Sequence, residues 1–420
     1  MKYKKVEGKN YDIYMLKSTK FKTIHISTVL INNYKKEDIT KEKFISEYIR
    51  NTNATAKSEV LMSKKNMELY DPRISISDVF RDVHLKVYNL TFLNEKYTEL
   101  GMNKKTIDFY YDIMYKPNIK DNKFETLNFE IVKETMKSWY SRDEEDSSGT
   151  AFFNAFSHVR DELPIKLDIR GNKKDLEKIN RTELYSYYKD ELKNSKFLVF
   201  VTGDYGDDVI DTIKRNLDGK VSKSDYDIKK YFSVNESNDV LEISDDSNFN
   251  QSILYMIYKI LNMTDREREY VLPVLNNILG GSSAKLFNNV REKHSLAYYA
   301  YSDIYSANNI LYMYAGISLE NYEKCTNLMK EQVEEIINGN VSQKEISGAK
   351  ESIYSSLLKT DDSLSGISNS LKGNVIFGIT PYDELKKNFE NVTKEEIVNL
   401  SKKLNLDVIY LLKGAKKWKQ

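Results

Sequence analysis

The densest run of chemistry-bearing residues is Leu279-Gly280-Gly281-Ser282-Ser283-Ala284-Lys285-Leu286-Phe287-Asn288-Asn289-Val290-Arg291-Glu292-Lys293-His294-Ser295-Leu296-Ala297-Tyr298. Paired glycines ahead of a lysine invite comparison with a phosphate-binding loop, in which backbone N–H groups cradle phosphates. That loop needs glycine directly before its lysine and a hydroxyl residue directly after. Here Ala284 precedes Lys285 and Leu286 follows, so the nucleotide reading fails. On residue types alone the segment is a helix stop, a glycine turn, a second helix and a strand. Metal chemistry has equally little to work with. The four histidines are His25, His84, His158 and His294, and no two stand four residues apart, one helical turn. Cys325 is the only cysteine, which excludes a cysteine zinc cluster and any disulfide within the chain. In its helical pattern beside Leu328 it reads as a packed thiol.

Positioning these residues falls to a long series of elements. Residues 22–31 alternate apolar and polar side chains like a half-buried strand. Phe44, Ile45, Tyr48 and Ile49 recur at helical spacing over 40–50, and a second helical stretch covers 56–70. Residues 79–92 read as a strand, and 104–115, 125–141 and 176–192 as helices. The acidic run Asp143-Glu144-Glu145-Asp146 between helical stretches reads as a solvated loop or helix edge. A buried strand over 196–204 stops at glycine, and the helix 207–217 follows. Residues 220–238 are polar with few large aliphatics, which puts an interdomain linker at 218–240. Beyond it the grammar repeats: strands over 240–243 and 251–258, a helix over 265–279, then strands over 297–306 and 310–317. Helices over 321–338, 343–359, 362–377 and 394–403 precede a last strand, 408–412. Each half is α+β and ends on a strand stopped by glycine, the pattern of a duplicated domain.

Composition narrows the function classes. The 420 residues exceed the ~250–300 at which one core stops growing, so two domains are expected, 1–217 and 241–420. With 64 Lys and Arg against 63 Asp and Glu, the chain lacks the excess positive charge that nucleic acid or an anionic membrane surface attracts. No apolar run approaches the ~20 residues that span a bilayer. The charged N-terminal stretch has no apolar segment of signal-peptide length behind it, so a cytoplasmic location is expected.

The run from 279 to 298 resembles the second-domain signature of the insulinase/pitrilysin metallopeptidases, especially the two-domain branch of processing peptidases. There a glycine turn, Ser-Arg-Leu-Phe, a helix bearing Arg-Glu, and Gly-Leu-Ala-Tyr occur in this order. The departures are Lys285 for the first Arg and His294-Ser295 where Arg-Gly is common. Leu163-Pro164-Ile165, Ile169-Arg170-Gly171, Asp175-Leu176 and the strand ending at Asp204 follow the first-domain pattern. The resemblance implies two homologous domains, each an antiparallel-rich sheet packed with helices on one face. It also implies that Arg291 and Tyr298, seven residues apart, contact substrate, with Gly280 and Gly281 shaping the loop. An Arg fork suits a peptide backbone or carboxylate. A Tyr hydroxyl can donate to a developing oxyanion, a contact whose removal costs ~10²–10³ in rate.

Active members of that family carry His-x-x-Glu-His on a first-domain helix, with a downstream Glu as third ligand. In the corresponding helix this chain has Phe44 and Tyr48 at the histidine positions, with Glu47 where the base would stand. Downstream, Glu125, Glu130 and Glu134 are the carboxylates available. Neither Phe nor Tyr at these positions is a useful Zn²⁺ ligand, so no metal or cofactor is expected in this chain. The resemblance implies an inactive subunit that binds peptide and supplies Arg291 and Tyr298 to a zinc-bearing homologue. A scaffold subunit and a peptide-binding homodimer without proteolytic role are the alternatives.

Overall fold

The computed structural model describes residues 2–281 and 284–415. Ser282 and Ser283 of the glycine turn lie outside the described residues. The first half of the chain runs β1 (Lys4–Glu7), β2 (Tyr11–Lys17), β3 (Thr23–Asn32), α1 (Asp38–Asn51), α2 (Glu59–Glu68), β4 (Arg73–Phe80), β5 (His84–Leu93) and α3 (Met102–Tyr115). A short hairpin follows, β6 (Ile119–Lys120) and β7 (Lys123–Phe124). Then come α4 (Thr126–Asp143), α5 (Ser147–Ser157), α6 (Lys173–Lys178), α7 (Arg181–Asn194), β8 (Lys196–Gly203) and α8 (Asp207–Leu217). The second half runs β9 (Leu241–Asp246), β10 (Ser252–Ile260), α9 (Leu272–Gly280), β11 (Ala297–Tyr305), β12 (Ile310–Ile317) and α10 (Tyr322–Ile337). It ends with α11 (Gln343–Asp361), α12 (Leu364–Phe377), α13 (Tyr382–Asn388), α14 (Lys394–Ser401) and β13 (Leu404–Lys413). Among the described residues no helix is long and apolar enough to cross a membrane.

The two sheets carry the same topology. The first is ordered β1-β2-β8-β3-β5-β4, and the second, read from its far edge, β9-β13-β10-β12-β11. Leaving out β1, the five strands of each half take the same places in the same chain order. In each sheet the first and last of these strands pair in parallel, β2 with β8 and β9 with β13, and the others are antiparallel. The duplication expected from the sequence is therefore present in the strand order.

On one face of the first sheet, Ile24, Ile26, Leu90 and Phe197 pack against Phe44 of α1, Ile107 of α3, Leu184 of α7 and Val209 of α8. The equivalent face of the second sheet buries Leu254, Met313 and Ile409 under α9, α10 and α14. A single helix lies on each second face: Leu371 of α12 meets Val29, Leu85, Leu198 and Phe200, and α5 meets Tyr255, Tyr312 and Tyr410. Because of α12, β3 is buried on both faces, although its alternation reads as half-buried; His25, Ser27, Thr28 and Asn32 are polar residues enclosed in it. The single strand expected over 79–92 is instead the hairpin β4–β5, turning at residues 81–83. A run of strand-forming residues does not show where it folds back. Asp143 ends α4, and Asp146 caps α5 by accepting the Ser148 N–H at 3.0 Å.

Two compact units result. One comprises the chain up to Ser141, Ile169–Ile228 and Asp361–Phe377; the other Arg142–Asp168, Lys229–Thr360 and the chain from Gly378 onwards. One crossing, at 228/229, falls inside the polar 218–240 segment. In addition, α5 belongs to the unit of the second sheet and α12 to that of the first.

Candidate functional site

Helix α1 presents Phe44 and Tyr48, four residues apart, to the core, and both are 0% exposed. The Phe44 ring centre is 4.6 Å from that of Phe129 on α4, and that of Tyr48 is 4.4 Å from Phe124. Tyr185 and Tyr188 of α7 complete the aromatic cluster around Phe124. The Tyr48 hydroxyl donates to the Asn118 carbonyl at 2.6 Å and accepts the Glu125 N–H at 2.9 Å. Burial pushes this phenol well above the ordinary tyrosine range, so it stays protonated. Glu47 accepts from Asn51 Nδ2 at 2.8 Å and pairs with Arg50.

None of the downstream carboxylates meets these positions. Glu125 caps α4, accepting the Leu127 and Asn128 N–H groups at 3.0 Å each. Glu130 is exposed, and Glu134 pairs with Lys137 at 2.8 Å. The residue facing Phe44 from α4 is Phe129. Zinc does not fit here: both histidine positions and the residue facing Phe44 from α4 are aromatic, and the Tyr48 phenol already uses its oxygen twice.

Among the described residues one group has ligand atoms close enough to hold an ion, Glu42, Asp78 and His84. Its cation is built in. The Lys86 ammonium, fully buried, lies 2.6 Å from Glu42 Oε2 and 3.7 Å from both Asp78 Oδ1 and Glu191 Oε1. His84 Nε2 lies 2.9 Å from Asp78 Oδ1. Burial alone would push the Asp78 carboxyl up, but Lys86 and His84 hold it well below the usual carboxylate range. Burial and then the neighbouring Glu42 push the Glu191 carboxyl far up. Sequence reading misses this cluster. Its one signal is Lys86 within an otherwise apolar strand run, and its partners come from α1, β4 and α7.

The second half is arranged differently. Gly280 ends α9 where a Cβ would stand 2.0 Å from the Ser302 nitrogen, so only glycine lets the helix end press against β11. A Cβ at Gly281 would meet the Asn277 carbonyl at 2.8 Å. Phe287–Lys293 forms a widened helical turn that buries Val290 and turns Arg291 outward. The Arg291 guanidinium lies 5.0 Å over the Phe287 ring, 3.7 Å from Glu292, with 42% of its side chain exposed. Ser295, at φ +52°, then reverses the chain, and the Leu296 N–H closes the turn on the Val290 carbonyl at 3.0 Å. β11 enters the sheet as its edge strand. The pairing with β12 slips between Ala297 and Tyr299, a bulge that sets Tyr298 out of the ladder with 66% exposure. Tyr298 makes no hydrogen bond to any described residue. Lys285, in place of the family's arginine, bonds the Asn340 carbonyl at 2.9 Å and Glu345 at 3.1 Å, and His294 is exposed. Cys325 is a packed thiol, pushed up to about 12 by burial.

The chain is a duplicated α+β fold with an aromatic-filled helix in its first half and an exposed Arg/Tyr pair in its second. Residues 178–353 match the model of the "Peptidase M16 inactive domain". The chain is similar to the "Probable inactive metalloprotease YmfF" of Bacillus subtilis (strain 168), 27% identical over 413 residues, covering 96% of this chain and 95% of that one. It is also similar to the "Uncharacterized zinc protease YmxG" of the same strain, 26% identical over 251 residues, 57% of this chain and 56% of that one. In fold it matches the crystal structure of a conserved protein from Enterococcus faecalis V583, with a TM-score of 0.91 at 23% identity, covering 99% of this chain and all of that one.

Proposed function

We propose that this chain is the metal-free subunit of a heterodimeric M16 peptidase, binding peptide through Arg291 and Tyr298 for a zinc-bearing homologue. The observation that carries this is the contrast between the halves. Phe44, Tyr48 and Phe129 fill the helix face where ligands would stand, whereas Arg291 on the helical turn and Tyr298 in the edge strand β11 are exposed. An extended peptide can add as a strand along β11, the edge strand whose outer side pairs with no strand among the described residues. Arg291 would then take a peptide carbonyl or carboxylate with its fork of donors. Tyr298, released from the ladder by the bulge, would donate its hydroxyl to the oxygen of the carbonyl under attack. Metal, base and water come from the partner. That Bacillus subtilis has relatives named both inactive metalloprotease and zinc protease supports a division of labour between chains.

The test is to purify this chain alone, a zinc-bearing homologue from the same genome, and their mixture, then measure zinc content and cleavage of unstructured peptides. The mixture is expected to cleave, and this chain alone to bind no stoichiometric zinc. Arg291→Ala and Tyr298→Phe are each expected to lower turnover of the mixture by ~10²–10³. Unchanged turnover with both replaced rejects the proposal, and loss only on deleting the chain favours a scaffold.

A further inference from the structure

On the second face of the first sheet, α12 covers a patch that is apolar at one end and polar at the other. Its Leu371 packs among Val29, Leu85, Leu198 and Phe200. The next residue, Lys372, reaches the Ser27 hydroxyl with its ammonium at 3.0 Å, and Ser27 donates onward to Asn89 Oδ1. No carboxylate among the described residues pairs with Lys372, and burial pushes its ammonium down to about 8. The acidic group near the start of α12, Asp362, is held by Lys20 at 2.5 Å. Lys372 is thus a largely enclosed cation without an anion.

The groups around it lack acceptors in the same way. His25, two residues before Ser27 on the same face, is 3% exposed. Its Nδ1 meets the Thr91 hydroxyl at 2.8 Å, while Nε2 has no partner. Burial first, and the nearby Lys372 cation second, push the ring down to about 4, so it is neutral and has one N–H to give. Thr202 stands directly opposite His25 on β8, fully buried, with its hydroxyl also unpaired. On α12, Ser368 lies one turn before Lys372, and its buried hydroxyl is likewise unpaired. A buried water satisfies hydroxyls but leaves the charge uncompensated, and an uncompensated buried charge is costly. An ion with several oxygens answers both needs, because it can accept from donors on two elements at once.

We infer that Lys372, His25, Thr202 and Ser368 form a binding site for a small oxyanion, of carboxylate or phosphate type, between α12 and the first sheet. The site joins a helix from the second half of the chain to strands of the first, on the face of the sheet opposite the aromatic cluster of α1. With four histidines the ring resonances are few, and His25→Gln assigns the one needed. Acetate and inorganic phosphate are titrated separately at constant ionic strength, with chloride as the balancing salt. The His25 resonance is expected to shift saturably with at least one of them, and the stronger binder says whether a carboxylate or a phosphate is preferred. Lys372→Met and Thr202→Val, each checked as folded by circular dichroism, are expected to weaken that binding at least tenfold. Absence of a saturable shift with either ion overturns the inference, as does unaltered affinity in both variants. Should Lys372→Met fail to fold, Thr202→Val alone decides.

Discussion

Two hydrogen bonds and a close ring contact hold Tyr48 in the buried face of α1, so its role there is measurable as stability. Tyr48→Phe keeps the ring and removes the hydroxyl's two hydrogen bonds, while the Glu125 N–H still donates to the Asn118 carbonyl at 3.2 Å, so it is expected to cost about 0.5–1.5 kcal/mol in denaturant unfolding. Phe44→Ala leaves a cavity and is expected to cost about 3–5 kcal/mol. Restoring histidine at both positions is expected to bind no stoichiometric zinc by metal analysis, because Phe129 offers no third ligand. The buried charges of the neighbouring cluster set a pH dependence with two opposite signs. Asp78, held below its unfolded value of ~3.9, contributes stability that is present above that pH and lost as pH falls through its lower folded value. Glu191, raised in the folded state, keeps a proton that the unfolded chain releases above ~4.3, so stability declines as pH rises from there. Glu191→Gln is therefore expected to flatten the decline above about pH 4.3 in urea titrations, by up to about 1.4 kcal/mol per unit. That no two histidines stand four residues apart is legible from the sequence alone, because it needs no tertiary information. Lys86 and Lys372 are not: each is a lysine in an ordinary local pattern, and only the fold shows that one has three acidic side chains around it while no carboxylate among the described residues pairs with the other.

At the scale of elements, a close approach and a covering helix govern what the site residues can do. Gly280 lets α9 end against the Ser302 backbone, and a methyl group there must push β11 away. Gly280→Ala is expected to destabilise the chain and, by displacing the strand that begins beside Tyr298, to lower turnover in the mixture with the zinc-bearing homologue. Thermal unfolding and peptide cleavage, measured together, check it. A normal unfolding midpoint with normal turnover would show that the helix end does not set the strand. Long helices and strands were legible from their periodicity, α1, α10 and β10 among them. The β4–β5 hairpin was not, since residues 79–92 are strand-forming on both sides of the turn and no Gly or Pro marks it. The burial of β3 on both faces was hidden for another reason: its second cover, α12, lies more than 300 residues further along the chain.

The whole molecule is two repeats of one strand order in which the units do not coincide with the halves of the sequence. A duplicated domain leads a reader to cut at the polar segment after residue 217, and a crossing does occur there, at 228/229. Yet the first unit is completed only by Asp361–Phe377. Without that segment Val29, Leu85, Leu198 and Phe200 lose their cover, each worth roughly 1.5–3 kcal/mol when fully buried. The polar end of the same face would also open His25 and Ser27 to water. Residues 1–228 expressed alone are therefore expected to be poorly soluble or to bind a dye for exposed apolar surface, despite containing the complete six-stranded sheet. Supplying 361–377, as a separate peptide or fused behind a flexible linker, is expected to restore cooperative unfolding. Leu371→Ala within that segment should weaken the restoration by about 2–5 kcal/mol, as for a buried leucine. A stable, soluble, cooperatively unfolding 1–228 fragment would show that α12 is dispensable and that the first half folds as a contiguous domain. Failure of the fragment together with rescue by the peptide would show that the second half of the sequence is required to finish the fold of the first.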